Sequence, residues 1–354
     1  MSTAQLSDQL TSHLSEQVIE FHSAVENSDY DKIKVILKLN TVDVNATSNL
    51  HGHTLGFTAL HLASISSNPT AELIVDLLLN YGANINSRCL KGKSALMYAV
   101  ECQNGGVVKK LLDNRVDANL QDSKGLTALH YAMQQGIPDL VNLLLKYHTD
   151  INIVDNNDKT AFEYCYDNIV FYYTRENFKE LQNDKYILYR NIYGTKYLAA
   201  ANFFIGHFIK VADDMKNYKI FMLIENNPVT YYIYNEFEEQ IIKMKKEKIN
   251  NTNVSYYDFM TGDINQLNNY VNNPDIAVDL SLCKGDYVKK FPLFAQDISD
   301  CFNRAMERKK LIDESTEILN YVTDSSTLLE NDRMQMIFEL LDKADLNEFV
   351  NIFI

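Results

Sequence analysis

Apolar residues in the first half of the chain recur in a fixed phrase. "FTALHLA" (57–63), "KSALMYA" (93–99), "LTALHYA" (126–132) and "KTAFEYC" (159–165) are variants of one heptad. Its hydroxyl residues Thr58, Ser94, Thr127 and Thr160 lie 36, 33 and 33 positions apart. Each precedes a good helix former, Ala59, Ala95, Ala128 or Ala161. The spacing predicts a capped helix start, with the cap worth about 1 kcal/mol. The Leu and Ala that follow fall on one face at helical spacing. A second apolar run follows: "AELIVDLLLNYG" (71–82), "GVVKKLLDNR" (106–115) and "DLVNLLLKYH" (139–148). Its leucine pairs must bury against neighbouring units. A polar phrase travels with these: "VDVNA" (42–46), "GANINS" (82–87), "VDANLQD" (116–122) and "TDINIVD" (149–155). Its Asn86, Asn119 and Asn152 are 33 apart, but Asn45 to Asn86 is 41. An insertion of about eight residues, including "HGHTLG" (51–56), therefore sits in the first connection. An earlier, degenerate unit, "FHSAVENSDYDKIKVILKLN" (21–40), reads as the capping repeat.

These residues resemble the ankyrin repeat. The resemblance implies a stack of hairpin–helix–helix units that binds proteins and does not catalyse. Recognition would then fall on the finger tips and on the exposed ends of the first helices. That places Thr54, Leu55, Phe57, Ile65, Leu90, Lys91, Glu101, Ser123, Lys124, Leu126, Gln134, Gln135, Asn156 and Asn157 on one candidate face. His61 and His130 occupy the histidine place of the repeat and are expected to hydrogen-bond within its framework. The family's proline after the threonine is alanine in every unit here. The glycine that ends the second helix survives as Gly82, while Thr41, Arg115 and His148 stand in its place elsewhere. A left-handed residue without glycine costs about 1 kcal/mol, so a modestly stable array is expected.

After Thr160 the repeat fades. Residues 166–200 are tyrosine-rich and read as a degenerate repeat with connecting helices. From 201 onward the pattern is helical again, notably over 202–215, 234–249, 261–273 and 295–322, with Pro274 and Pro292 marking breaks. Near the end, Thr327 with Glu330 and Asp345 with Glu348 form two capping boxes. Met334, Ile337, Phe338 and Leu341 follow i, i+3, i+4, i+7, and Leu346, Phe349, Val350 and Phe353 repeat that stripe. Such a helix pair either completes the core of its own domain or enters a groove on another chain.

The order of phrases in this half resembles the PRANC domain, found after ankyrin repeats in poxviruses, parasitoid wasps and some bacterial endosymbionts. The likeness is carried by "HFIK" (207–210), "EFEEQIIKMKKEKINNTNVSYYDFM" (236–260), "NNPDI" (272–276), "FPLF" (291–294), "NRAMERKKLIDES" (303–315) and the final stripes. It implies a truncated F-box-like helix pair over 327–354 that docks on a Skp-type adaptor of a cullin–RING ubiquitin ligase. Leu329, Met334, Ile337, Phe338, Leu341, Leu346, Phe349 and Val350 would make that contact. The Leu-Pro opening of an F-box falls at Leu329–Glu330, so its proline is missing.

Composition narrows the chemistry. The formal charge of −14 over 354 residues argues against nucleic acid as the main partner, which would need a basic footprint. The lysine run at 243, 245, 246 and 248 reads as a solvated helix face. No apolar run reaches the roughly eighteen residues that a spanning helix needs, so no membrane partner is expected. The polar, acid-bearing start is unlike a secretory signal. Five widely spaced cysteines (89, 102, 165, 283 and 301) suit reduced thiols in a cytoplasmic compartment. "HGH" (51–53) lacks a third metal ligand at a usual interval. "GKS" (92–94) lacks the first glycine of a phosphate loop, since Ser87 stands there. No protease, hydrolase or kinase signature appears, so no enzyme, cofactor or metal is expected.

The expected architecture is all-α: a polar segment (1–20), ankyrin repeats (21–165), connecting helices (166–200) and a PRANC-like helical domain (201–354). The expected function is a substrate adaptor, with a target on the ankyrin face and the ligase on the C-terminal helices. The alternative is a masking protein that inhibits a partner, such as a Rel-type transcription factor, by contact alone. By resemblance, it would act on host proteins in the host cytoplasm or nucleus.

Overall fold

The computed structural model describes residues 16–47, 56–147, 149–172, 196–211, 218–250, 252–282, 286–322 and Leu346. Among these the regular elements are helices, joined by turns and three isolated antiparallel bridges. The chain divides into two units, 1–234 and 235–354.

The first unit is built from stacked helix pairs. Residues 16–26 (α1) and Tyr30–Leu39 (α2) form the first helix pair. The next are Ala59–Ile65 (α3) with Ala71–Asn80 (α4), Ala95–Glu101 (α5) with Gly105–Asp113 (α6), and Ala128–Gln135 (α7) with Pro138–Lys146 (α8). Ala161–Tyr172 (α9) begins the last repeat. First helices stack in order, α3 on α5, α5 on α7 and α7 on α9. Second helices form a parallel row, α2 on α4, α4 on α6 and α6 on α8. Leu60, Ile74, Leu78, Leu111, Leu129 and Leu144 are sealed between the rows. Each such leucine stabilises the stack by about 1.5–3 kcal/mol relative to exposure.

The expected hydroxyl caps form at Ser94 and Thr127. Ser94 accepts the Met97 N–H (3.4 Å), and Thr127 accepts that of His130 (3.4 Å). At Thr160 the Glu163 carboxylate accepts the threonine N–H (2.7 Å). Where the second helices end, Gly82 (φ 84°) and Arg115 (φ 60°) are left-handed. In the first repeat that role falls to Asn40 (φ 51°) and not to Thr41, because asparagine tolerates this region better than a β-branched residue. His148 lies outside the described residues.

A further helix, Lys196–Val211 (α10), lies on α8 and α9. Phe204 stacks on Phe162 at 4.9 Å, and the Cys165 thiol donates to the Tyr197 carbonyl (3.1 Å). This is the place a second helix takes in a repeat, so α10 closes the stack that α9 begins. The boundary expected at 200/201 falls inside α10, within the first unit. Tyr218–Asn226 (α11) also packs on α9, and Lys219 pairs with Glu163 (2.9 Å).

Pro228–Lys246 (α12) spans the dividing point. The second unit continues with Tyr256–Thr261 (α13), Ile264–Val271 (α14), Pro274–Leu282 (α15), Asp286–Lys290 (α16) and the long Ala295–Val322 (α17). α17 packs on α13 and α14, around a core that includes Phe259, Phe291 and Phe294. Ser255 with Asp258, and Asp263 with Gln266, form reciprocal capping boxes. A Lys248–Ser255 bridge precedes α13, as the Arg88–Ser94 bridge precedes α5. The second unit therefore repeats the bridge-before-helix step of the first.

Candidate protein-interaction surface

Each finger turns on a left-handed residue at a 33-residue interval, Gly92 (φ 73°), Gly125 (φ 79°) and Asp158 (φ 58°). Consecutive fingers are joined through their backbones. The Ser123 N–H donates to the Lys91 carbonyl (3.0 Å), and the Asn156 N–H to that of Lys124 (2.9 Å). A side chain at Gly125 would put its Cβ 2.7 Å from the Asn156 nitrogen, so that turn needs glycine for space as well as for φ. Arg88 donates to the Gly92 carbonyl (2.9 Å) and to the Gln121 carbonyl of the next finger. One repeat on, Gln121 does the same work, donating to the carbonyls of Gly125 (2.8 Å) and Val154 (2.9 Å).

A buried carboxylate organises the base of two fingers. Asp122 accepts the N–H groups of Lys124 (2.8 Å) and Leu126 (2.9 Å) and the Tyr131 hydroxyl (2.6 Å). Asp155 repeats this with Asn157 (2.9 Å), Lys159 (2.9 Å) and Tyr164 (2.6 Å). In the finger before, Cys89 faces Tyr98 at 3.4 Å. Burial raises the Asp155 carboxyl, but the bonds from Tyr164, Lys159 and Asn157 outweigh it and bring the group to about 2. Burial, aided by Asp155, pushes the Tyr164 hydroxyl up to about 12. The asparagine series joins repeats at the far end: Asn45 accepts the Asn84 N–H (2.7 Å), Asn86 that of Asp117 (2.9 Å) and Asn119 that of Asp150 (2.9 Å).

His61 and His130 act as the resemblance implies. Each Nδ1 accepts the N–H of its own threonine (3.2 Å for both Thr58 and Thr127). Each Nε2–H donates into the next repeat, to the carbonyls of Lys93 (3.1 Å) and Lys159 (3.1 Å). That pair of bonds requires the neutral ring, and burial holds both histidines below the ordinary imidazole range.

Of the residues expected on the binding face, Ile65, Leu90, Lys91, Ser123, Lys124, Gln134, Asn156 and Asn157 are exposed. Glu101 and Gln135 are half-buried, Glu101 pairing with Lys93 at 2.6 Å. Phe57 and Leu126 leave the candidate face. Each lies one residue before the threonine that opens a helix, where the chain turns inward, and both are buried. Phe57 packs on His61 (5.4 Å) and Tyr98 (4.8 Å). Thr54, Leu55, His51 and His53 lie outside the described residues. Sequence reasoning missed the aspartate–tyrosine pairs. Their signal was present, since 89, 122 and 155 recur at 33 residues and so do Tyr98, Tyr131 and Tyr164.

Of the eight residues expected to contact an adaptor, Leu346 is described. It is helical and fully buried, so it offers no surface to another chain. Leu329, Met334, Ile337, Phe338, Leu341, Phe349 and Val350 lie outside the described residues. Among the described residues, no three of His, Cys, Asp and Glu converge as metal ligands, and no helix is long and apolar enough to cross a membrane.

Stacked helix pairs with paired fingers and bridging histidines define an ankyrin array. The family model for ankyrin repeats (three copies) matches residues 21–122 and 102–172, and residues 21–172 are ankyrin repeats. Among curated proteins, the chain is similar to the inactive serine/threonine-protein kinase TEX14 of Bos taurus, 34% identical over 94 residues. The match covers 27% of this chain and 6% of that protein.

Proposed function

We propose that this chain is a non-catalytic protein-binding module whose ankyrin face captures a target protein. The observation that carries the reading is the row of exposed finger-tip residues on fingers locked together by backbone hydrogen bonds. Such a face keeps its shape on binding, so little ordering entropy opposes association. Charge reversal and truncation at the finger tips should abolish target capture without lowering the unfolding midpoint. Retained capture would place the interface elsewhere.

As a finer step we propose that residues 327–354 recruit a Skp-type adaptor, so that a ligase modifies the captured target. This step rests on the F-box-like stripes alone. With Leu346 buried, the contact falls to the other stripe residues, Ile337 and Phe349 among them. The masking alternative is favoured by that same buried leucine, which leaves one of the expected contact residues without surface for an adaptor. Copurification of adaptor and cullin, compared between the full chain and a deletion of 328–354, separates the two. An adaptor loses both proteins and its effect on the target. A masking protein keeps its effect. Charging Ile337 and Phe349 together should abolish adaptor capture while sparing the target.

A further inference from the structure

Leu90 is the most exposed large apolar side chain among the described residues, at 74%. It sits at a finger tip beside Lys91, and one repeat along, Lys124 follows Ser123 on the neighbouring tip. The bond from the Ser123 N–H to the Lys91 carbonyl (3.0 Å) holds the two tips in register. Small polar residues, Ser123 and Asn156, occupy the position of Leu90 on the next two fingers, so neither of those two carries a large side chain to cover it.

The lysines of the array fall into two groups, those that reach an acid and those, Lys38 and Lys109 as well as Lys91 and Lys124, that among the described residues do not. Lys32, Lys93, Lys110 and Lys159 each reach an acid at 2.6–2.9 Å. Lys91 and Lys124 are exposed, and among the described residues neither ammonium group meets an acid. The two carboxylates at the finger bases are buried and turned inward, Asp122 to Tyr131 and Asp155 to Tyr164. Asp158, on the third finger, is the exposed acid in the row. A chain with formal charge −14 thus presents unneutralised cations next to a bare leucine, on two rigidly paired tips.

We infer that these two finger tips dock an acidic protein segment that sets an apolar side chain against Leu90 and carboxylates against Lys91 and Lys124. The inference rests on the array being the capture surface and names the chemistry of what it captures. An acidic segment fits better than a nucleic acid, because a phosphate backbone would meet few cations here and the repulsion of a strongly acidic protein.

The test is a random-peptide display selection on the purified full chain, followed by affinities of the enriched peptides. Enrichment of acids beside an apolar residue is expected. Leu90→Ser should weaken those peptides about tenfold. K91E with K124E should weaken them by a similar factor and flatten their salt dependence. Lys38→Glu and Lys109→Glu, on exposed helix faces, should leave affinity within about twofold. Neutral or basic winners, or acidic winners indifferent to Leu90 and both lysines, overturn the inference while leaving protein capture standing. Equal binding of a mixed-sequence oligonucleotide would overturn it in favour of general polyanion attraction. Failure of any peptide to bind through the array counts against both readings.

Discussion

His130 joins two repeats through a single ring, and its chemistry sets the response of the array to acid. Burial holds His22, His61 and His130 below the ordinary imidazole value. In the unfolded chain they titrate near about 6.5. Below that pH the unfolded chain binds more protons than the folded one, so stability falls as pH falls and is complete above it. Urea unfolding should show a midpoint that is level from about pH 8 to 7 and declines from about 6.5 toward 5. Asp155 acts in a different window. Its contribution is present above the usual carboxylate range and is lost as pH falls toward about 2. His130→Leu should lower stability at pH 8 by about 1–3 kcal/mol, because the Thr127 N–H and the Lys159 carbonyl lose their partner, and should shallow the acid slope. A level midpoint down to pH 5 would contradict this account.

At the scale of the element, the repeat depends on backbone positions that local propensity resists. Arg115 ends α6 in a left-handed conformation that glycine adopts freely. Arg115→Gly should therefore raise the unfolding free energy by about 0.5–1 kcal/mol in chemical denaturation. Gly125→Ala should do the opposite and cost more than about 1 kcal/mol, since it meets both a positive φ and the backbone of the next finger. The first helices were legible from the threonine–alanine phrase because a cap and a 3.6-residue period are local facts. The inward turn of Phe57 and Leu126 was not, because in an isolated finger both look like surface apolar residues. Their burial depends on the helix and finger that fold over them.

On the molecular scale, the family model for ankyrin repeats stops at residue 172, while the packing does not. Phe162, Cys165 and Ile169 on α9 are fully buried, and α10 packs on that helix with Phe204 on Phe162 and Tyr197 on Cys165. A chain ending at 172 should expose that apolar face, unfold at lower urea than one ending at 234, and lose cooperativity first at its C-terminal repeats. Equal midpoints would show that α10 is dispensable. Residues 173–195 stand between α9 and α10, so the pairing of these helices carries no local spacing signal. The second unit was legible as helices and breaks, and Pro274 does open α15. That Ser255 and Asp263 open two successive helices there with capping boxes emerged from their hydrogen bonds.

Taken by itself, the sequence determined the all-α repeat, its 33-residue pitch, the capped helix starts and the histidines that bridge neighbours. Each of those is written within one repeat length, where a hydrogen-bonding group and its partner stay in fixed register. Tertiary structure alone decided which helix closes the stack, which finger residues turn inward, and which lysines find an acid. Those outcomes depend on groups brought together from separate repeats, and burial and ion pairing are properties of that meeting, not of any residue alone.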